Sequence, residues 1–340
     1  MYGLSRKELD EYIKRRLRET VKYAGRNSTF YKERLAGFED QDDSRGEDFI
    51  EWFKTIPFTD PAELKARELD FLCVRPSEIS RIVTLNTGGT TGNPKRIYFT
   101  EEDQQLTVSF FERGMQWIVG KGDRVLILMP ARITGSIGLL LAEGLNGFGA
   151  KGISYGLPKM DDDGEAEKLL SLIADEKVGC VVAIPTHMKG LADANERRRK
   201  GERVKLDSVL LSAEYVSAEI AGRVAKSFDC KVYEHYGMTE MGLGCAVSCG
   251  KGRGYHIREK DLYLEIIDPE TGEIIKDDRM GEIVFTTLTR KGMPFIRYRT
   301  GDKSRWILGD CPCGSVLKRI ERVGDRGEIK GYLKGEKCYG

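Results

Sequence analysis

The sequence predicts an α/β fold: a large body of mainly parallel sheets flanked by helices, with a β-rich subdomain attached. Three observations predict it. Short apolar runs recur at Arg124–Met129, Lys177–Ile184, Leu206–Leu211 and Cys230–Tyr233, separated by stretches with helical spacing, the alternation that builds a parallel sheet. After about residue 255 the texture changes to strands of antiparallel character, Tyr263–Ile267 and Glu282–Thr287, joined through the turn-rich Asp268-Pro269-Glu270-Thr271-Gly272. Finally, 340 residues with 40% hydrophobic content suffice to bury a core without disulfides or metal.

The elements follow in order. Ser5 and Glu8 have capping-box spacing, and Leu9, Ile13, Leu17, Val21 and Ala24 then form an i, i+4 stripe, so a helix opens the chain. Residues 40 to 78 read as acidic loops and short helical pieces punctuated by Pro57, Pro61 and Pro76. Ile82–Leu85 is a short strand that runs into a Gly/Thr-rich loop, and Arg96–Phe99 resumes a strand. Helices are predicted over Ser136–Leu145 and Ser217–Ser227. The charged run Asn195–Lys205 reads as an exposed loop or helix end rather than a functional basic patch. Four segments result: a helical segment of the body at 1–80, an α/β nucleotide- and acid-binding core at 81–254, the β-rich subdomain at 255–323 and a hinge-like tail at 324–340.

Charge excludes several functions. Fifty-five basic residues balance 54 acidic ones, a net charge of +1, which carries no nucleic-acid or polybasic membrane signature. No window approaches the roughly 18 uncharged apolar residues that a membrane span needs. The N-terminus lacks the apolar stretch of a signal peptide, so a cytoplasmic location with reduced thiols is expected.

Three stretches carry chemistry. In Thr87-Gly88-Gly89-Thr90-Thr91-Gly92-Asn93-Pro94-Lys95 the glycines allow close backbone approach, while hydroxyls and a lysine add donors suited to phosphate oxygens. It is not a Walker A loop, because Gly and Lys are not adjacent and Arg96 stands where Ser/Thr would hold Mg²⁺; the plain alternative is a surface turn. In Tyr233-Glu234-His235-Tyr236-Gly237-Met238-Thr239-Glu240 a carboxylate follows a strand, where a hard oxygen ligand for Mg²⁺ is well placed, or where an ordinary loop Glu sits. In Arg297-Tyr298-Arg299-Thr300-Gly301-Asp302 an acid stands ready to accept ribose hydroxyls, unless the segment is a turn between surface arginines.

Taken together and in this order, the three stretches resemble the phosphate loop, the Tyr-Gly-x-Thr-Glu motif and the Tyr-Arg-Thr-Gly-Asp motif of the adenylate-forming (acyl-CoA synthetase) superfamily. Within it the chain is most similar to the phenylacetate–CoA ligase branch. Ala24–Tyr31, Ser212-Ala213-Glu214, Gly281–Leu288, Met293–Asp302 and Cys311-Pro312-Cys313-Gly314 carry that likeness, which covers roughly residues 8 to 325. The resemblance implies the large N-terminal body of those enzymes and a two-step reaction. A carboxylic acid, aromatic in this branch, attacks the α-phosphorus of ATP, and the thiol of CoA then displaces AMP.

By motif position, Thr87, Gly88, Gly89, Thr90, Thr91 and Gly92 would wrap the β- and γ-phosphates with Lys95 nearby. Thr239 and Glu240 would hold the α-phosphate and Mg²⁺, Ala213, Glu214, Tyr236 and Gly237 would line the adenine, and Asp302 would take the ribose. The acid pocket would lie along Ala131–Leu145, and a homodimer is what the branch suggests. Two departures stand out: Gly88 replaces the family's Ser, and the hinge pattern appears as Gly324-Asp325-Arg326-Gly327-Glu328. The smaller C-terminal domain, which in the family brings the adenylation lysine, is not expected within these residues. Transfer to a protein thiol and a nucleotide-binding subunit without turnover are the rival readings.

The cysteines form the last constellation. Cys249-x₆-His256 with Cys311-x-Cys313 offers four N/S ligands, enough for a closed, structural tetrahedral zinc site, with Cys245 competing for the place of Cys249. The alternative is unligated thiols in a turn-rich region. Cys73, Cys180 and Cys230 read as core packing. His187, after Pro185, reads as a satisfied loop histidine.

Overall fold

A computed structural model describes residues 3–36, 49–85, 94–160 and 163–324. The chain divides into two compact units. One comprises Gln104–His256 with Cys311–Cys313; the other comprises residues 2–103, 257–310 and 314–340. The expected boundary at residue 80 falls inside a β-hairpin of the second unit, so the chain does not divide there.

In the second unit, α1 (Arg6–Asn27) starts on the capping box expected of it: the Ser5 amide donates to the Glu8 carboxylate at 2.7 Å, and the Ser5 hydroxyl accepts from the Glu8 amide. Its buried stripe is the one the spacing predicts, Leu9, Ile13, Leu17, Val21 and Ala24. Among the described residues the short helices α2 (Thr29–Arg34), α3 (Phe49–Phe53) and α4 (Pro61–Ala66) follow. The strands β1 (Ile79–Leu85) and β2 (Lys95–Thr100) form an antiparallel hairpin.

The chain then enters α5 (Glu101–Met115) and the first unit. There the alternation is β3 (Arg124–Leu128), α6 (Ile137–Gly147), β4 (Lys151–Ser154), α7 (Asp163–Asp175), β5 (Cys180–Ala183), α8 (Pro185–Arg197), β6 (Ser208–Leu211), α9 (Ala218–Phe228) and β7 (Lys231–Tyr236). The strands lie in the order β4-β3-β5-β6-β7, all parallel, and β8 (Ala246–Ser248) adds on antiparallel to β7. β9 (Tyr255–Ile257) comes next in that order.

Because side chains alternate along a strand, each sheet face collects its own set. Leu126, Leu128, Val181, Ala183, Val209 and Leu211 pack on α7, α8 and α9. Val125, Ile127, Val182, Leu210 and Tyr233 face α5 and α6. Sequence reading did not identify α5, β4, α7 or α8. The Asn195–Lys205 run begins in the last turn of α8, and Arg198 pairs with Glu167 at 2.6 Å, so part of the run is spent on local ion pairing. His187 lies in the first turn of α8, not in a loop: Pro185 occupies the first helical position, where its missing N–H costs nothing.

The second unit closes with β10 (Leu262–Ile267), β11 (Gly281–Thr287) and β12 (Tyr298–Ser304) in an antiparallel sheet, and with the β13 (Trp306–Ile307)–β14 (Arg319–Ile320) pair. The β10–β11 pairing is the one expected. The Tyr298–Asp302 motif is a strand rather than a turn, and its alternative reading as flanked by surface arginines fails: Arg297 is only 4% exposed. No helix among the described residues is long and apolar enough to cross a membrane.

Candidate active site

In the first unit, the sequence brings two strand ends side by side. Leu211 of β6 lies opposite Glu234 of β7, so Ser212-Ala213-Glu214, which follows β6, and His235-Tyr236-Gly237, at the end of β7, lie together at the carboxyl edge of the sheet. That edge is where open α/β sheets bind ligands. Ala213 adopts a left-handed conformation, φ +69°, which a residue with a side chain takes only where the surroundings impose it. Glu214 turns back on α8: its carboxylate accepts from the Thr186 hydroxyl at 2.9 Å and from the Thr186 amide at 3.3 Å. An acid is favoured there by the exposed N–H groups of a helix start.

The loop after β7 is held by close approach. A Cβ on Gly237 would stand 2.8 Å from the Gly244 Cα, and one on Gly244 would stand 2.0 Å from the Phe110 ring. The loop also closes on itself, with Leu243 N donating to Met238 O at 3.1 Å and Cys245 N to Tyr236 O at 3.0 Å. Thr239 and Glu240 form one 3-10 turn inside this loop, and Glu240 is 1% exposed. Tyr236 stays in the sheet, opposite Ala246 of β8.

In the second unit, Asp302 lies in β12 directly after Gly301, whose φ of +74° suits glycine. Its amide is held by the Thr300 hydroxyl at 3.0 Å. The same unit brings Lys95 to this motif: its Nζ is 3.4 Å from the Tyr298 hydroxyl. Thr87, Gly88, Gly89, Thr90, Thr91 and Gly92 lie outside the described residues.

The first unit also gathers the metal-type ligands. Cys249, His256, Cys311 and Cys313 present donor atoms that all lie within 4.8 Å of one another. The Cys249 and Cys311 sulfurs are 3.6 Å apart, and Cys313 Sγ is 3.3 Å from His256 Nε2. Two thiolates on one tetrahedral zinc stand roughly 3.8 Å apart, as Zn–S bonds of about 2.3 Å require. Cys245, the competing ligand, is not in the cluster. Elsewhere burial pushes the thiols of Cys73 and Cys180 up to about 12 and that of Cys230 up to about 11, in keeping with packing roles.

Sequence reasoning left one feature unassigned. Ser212 and His235 form a hydrogen-bonded pair, hydroxyl to Nδ1 at 2.8 Å, beside a narrow apolar slot between the sheet and α5 and α6. The pairing depends on the register of two strands 23 residues apart, so no local signal announces it.

Among solved structures, 2-hydroxyisobutyryl-CoA ligase in complex with 2-HIB-AMP and CoA matches with a TM-score of 0.81 at 22% identity, over 94% of this chain and 68% of that one. A long-chain-fatty-acid-CoA ligase from Archaeoglobus fulgidus matches with a TM-score of 0.55 at 19% identity, over 76% and 54%. The fold is the large N-terminal body of adenylate-forming enzymes. Residues 31–288 match the family model described as AMP-binding enzyme. Phenylacetate-coenzyme A ligase of Pseudomonas putida is 30% identical over 328 residues, 94% of this chain and 71% of that protein. The corresponding ligase of Thermus thermophilus is 28% identical over 349 residues, 99% and 74%. The chain belongs to the AMP-binding enzyme family, in its phenylacetate–CoA ligase branch.

Proposed function

We propose that this protein is an AMP-forming acid–CoA ligase that activates a carboxylic acid, in the first instance an aromatic one, with ATP and transfers the acyl group to CoA. In the first step a carboxylate oxygen bonds to the α-phosphorus while the bond to pyrophosphate breaks. In the second the CoA sulfur bonds to the acyl carbon and AMP leaves. Such chemistry asks a protein for positioning and charge stabilisation more than for covalent participation. The observation that carries the reading is the placement of the Tyr236–Glu240 motif, with a buried carboxylate, at the carboxyl edge of a parallel sheet in a chain of this family.

Roles follow from position. Tyr236, Gly237, Ala213 and Glu214 line the adenine, Asp302 accepts the ribose hydroxyls, and Thr239 donates to the α-phosphate. Thr87, Gly88, Gly89, Thr90, Thr91 and Gly92 wrap the outer phosphates with Lys95 beside them. The acid pocket is assigned to the Ala131–Leu145 stretch, most of which is the start of α6 and the segment before it. Glu240 fits a hard divalent cation: its carboxylate is buried where phosphate charge would collect, and Mg²⁺ there would supply neutralisation of that charge. The test is acid-dependent exchange of pyrophosphate into ATP. Glu240→Ala is expected to lower it by about 10²–10³. Tight ATP binding with no exchange for any acid tested would leave a nucleotide-binding subunit instead.

The Cys249–His256–Cys311–Cys313 cluster is assigned to a structural zinc ion. Three sulfurs and an imidazole suit that metal, and four protein ligands leave no open position for catalysis. Metal analysis should give about one zinc per chain, with loss in Cys311→Ser and Cys313→Ser and a lower melting temperature after chelation. A metal-free protein of equal stability would overturn the assignment. Thiolates that must stay reduced to hold a metal fit a cytoplasmic setting. A homodimer belongs to the same reading, and size-exclusion chromatography with light scattering tests it.

A further inference from the structure

The four zinc-type ligands lie beside the strand that carries the nucleotide motif. β7 ends in Glu234-His235-Tyr236, and β8 pairs with it antiparallel, Val247 opposite His235 and Ala246 opposite Tyr236. The chain then grips β7 at successive points on its way through the ligands. The Ser248 hydroxyl accepts from the Glu234 amide at 2.9 Å, and Cys249 follows Ser248 directly. At Gly250, where φ is +67°, a Cβ would stand 2.7 Å from the Tyr233 ring. The Tyr255 hydroxyl donates to the Glu234 carboxylate, and His256 follows Tyr255 directly. Glu234 and Tyr255 are both buried, so this bond is shielded from water. Cys249 and His256 are therefore each one residue away from a side chain that holds Glu234. Glu234 in turn is two residues from Tyr236, assigned above to the adenine.

We infer that Ser248 and Tyr255 are positioning residues that couple the four-ligand cluster to the nucleotide site, so that metal and nucleotide each bind more tightly when the other is in place. The inference rests on the zinc assignment and on the acid–CoA ligase reading. Three sulfurs and an imidazole whose donor atoms lie within 4.8 Å of one another stay together as thiolates only around a cation, because thiolates repel each other without one. With a cation bound, Cys249 and His256 are fixed relative to Cys311 and Cys313, and with them the end of β8 and the start of β9. The turn between those strands contains Gly250, Gly252 and Gly254, whose permissive backbone does little to hold the strands at one separation. When the cluster is released, Tyr255 moves relative to Glu234, and a buried carboxylate that loses a donor is costly. The end of β7 then shifts, and Tyr236 with the loop bearing Glu240 leaves the arrangement that receives a nucleotide. Linkage makes the effect reciprocal: a nucleotide that favours the ordered end of β7 favours the closed cluster by the same factor.

The test uses AMP, whose adenine and phosphate reach the Tyr236–Glu240 motif in the proposed function and which chelates zinc less than ATP does. Zinc affinity of the whole protein is measured by competition with a chelator of known affinity, with and without saturating AMP. AMP affinity is measured by calorimetry on the zinc-loaded and zinc-free protein. AMP is expected to raise zinc affinity by about fivefold or more, and zinc to raise AMP affinity by the same factor. Tyr255→Phe should bring that factor to near one while still binding AMP and about one zinc per chain. A cluster that served stability alone would keep its factor in this variant, because nucleotide binding would still favour the folded state. Ser248→Ala, a smaller change, should reduce the factor, and it decides the matter if Tyr255→Phe takes up no zinc. A factor near one in the unaltered protein overturns the inference, as does a factor that persists in the deciding variant. A protein that binds AMP but no zinc fails the zinc assignment, and one that binds zinc but no AMP fails the ligase reading; either result overturns the coupling with it.

Discussion

In the first unit the Tyr236–Glu240 segment is held by close approach: Gly237 against Gly244, Gly244 against the Phe110 ring, and a loop closed by its own backbone hydrogen bonds. In the second unit the strand bearing Tyr298–Asp302 is held by charge. The Arg297 guanidinium forks onto Glu265, with both contacts at 3.1 Å, and also donates to the backbone carbonyls of Lys54 and Ile56. Arg299 reaches Glu282 one strand over, and Glu282 in turn accepts from the Gly301 amide at 3.0 Å. Burial pushes the Glu265 carboxyl up and Arg297 opposes that push. One segment depends on the absence of side-chain atoms and the other on completed ion pairs. They should fail differently.

The largest expected effect is on the charge-held strand. Arg297→Met strands Glu265 in a buried site and should lower the unfolding free energy by about 3–5 kcal/mol, measured by urea denaturation. Arg297→Met combined with Glu265→Leu should recover part of that loss, because well-packed apolar pairs replace buried ion pairs at little cost. Recovery stays incomplete, since the carbonyls of Lys54 and Ile56 lose their donor. A single variant costing under about 1 kcal/mol would break the comparison.

Next comes the loop held by close approach. Gly244→Ala puts a methyl into the Phe110 ring and should cost about 1–3 kcal/mol. Exchange activity should fall further than stability accounts for, because the displaced segment carries Glu240. If activity and stability fall in proportion, the loop tolerates the shift and its rigidity is not functional. The smallest effect belongs to the turn-back of Glu214. Thr186→Ala removes one hydroxyl donor and should cost about 0.5–1.5 kcal/mol, read as a small drop in melting temperature.

How much of this was legible in the sequence follows from the range of each signal. The β3, β5, β6 and β7 runs and the α1 stripe were readable because apolar periodicity and capping are local. α7 was not identified, though Ala166, Leu169, Leu170 and Ile173 carry its buried face. α8 was not identified because Pro185, its first residue, read as the end of the preceding strand. β12 was not identified as a strand, a turn being the alternative reading of its motif, because Gly and Asp are depleted in strands. There the cross-strand bonds from Thr300 to Ile283 and from Arg299 to Glu282 override propensity. The zinc-type ligands were readable as residue types, while the choice of Cys249 over Cys245 waited on geometry.

The sequence by itself determined which chemistry was available: hydroxyls, glycines and a lysine for phosphate, a carboxylate after a strand, three thiols and an imidazole, and an order of motifs that identified the family. Only the tertiary structure decided which of these groups meet. Ser212 stands beside His235, Lys95 beside Tyr298, and Cys249 beside Cys311, each pair joined across at least 23 residues of chain. The reason is physical. Local interactions are written in neighbouring residues, whereas a contact between distant ones depends on strand register and on packing that the whole unit settles at once.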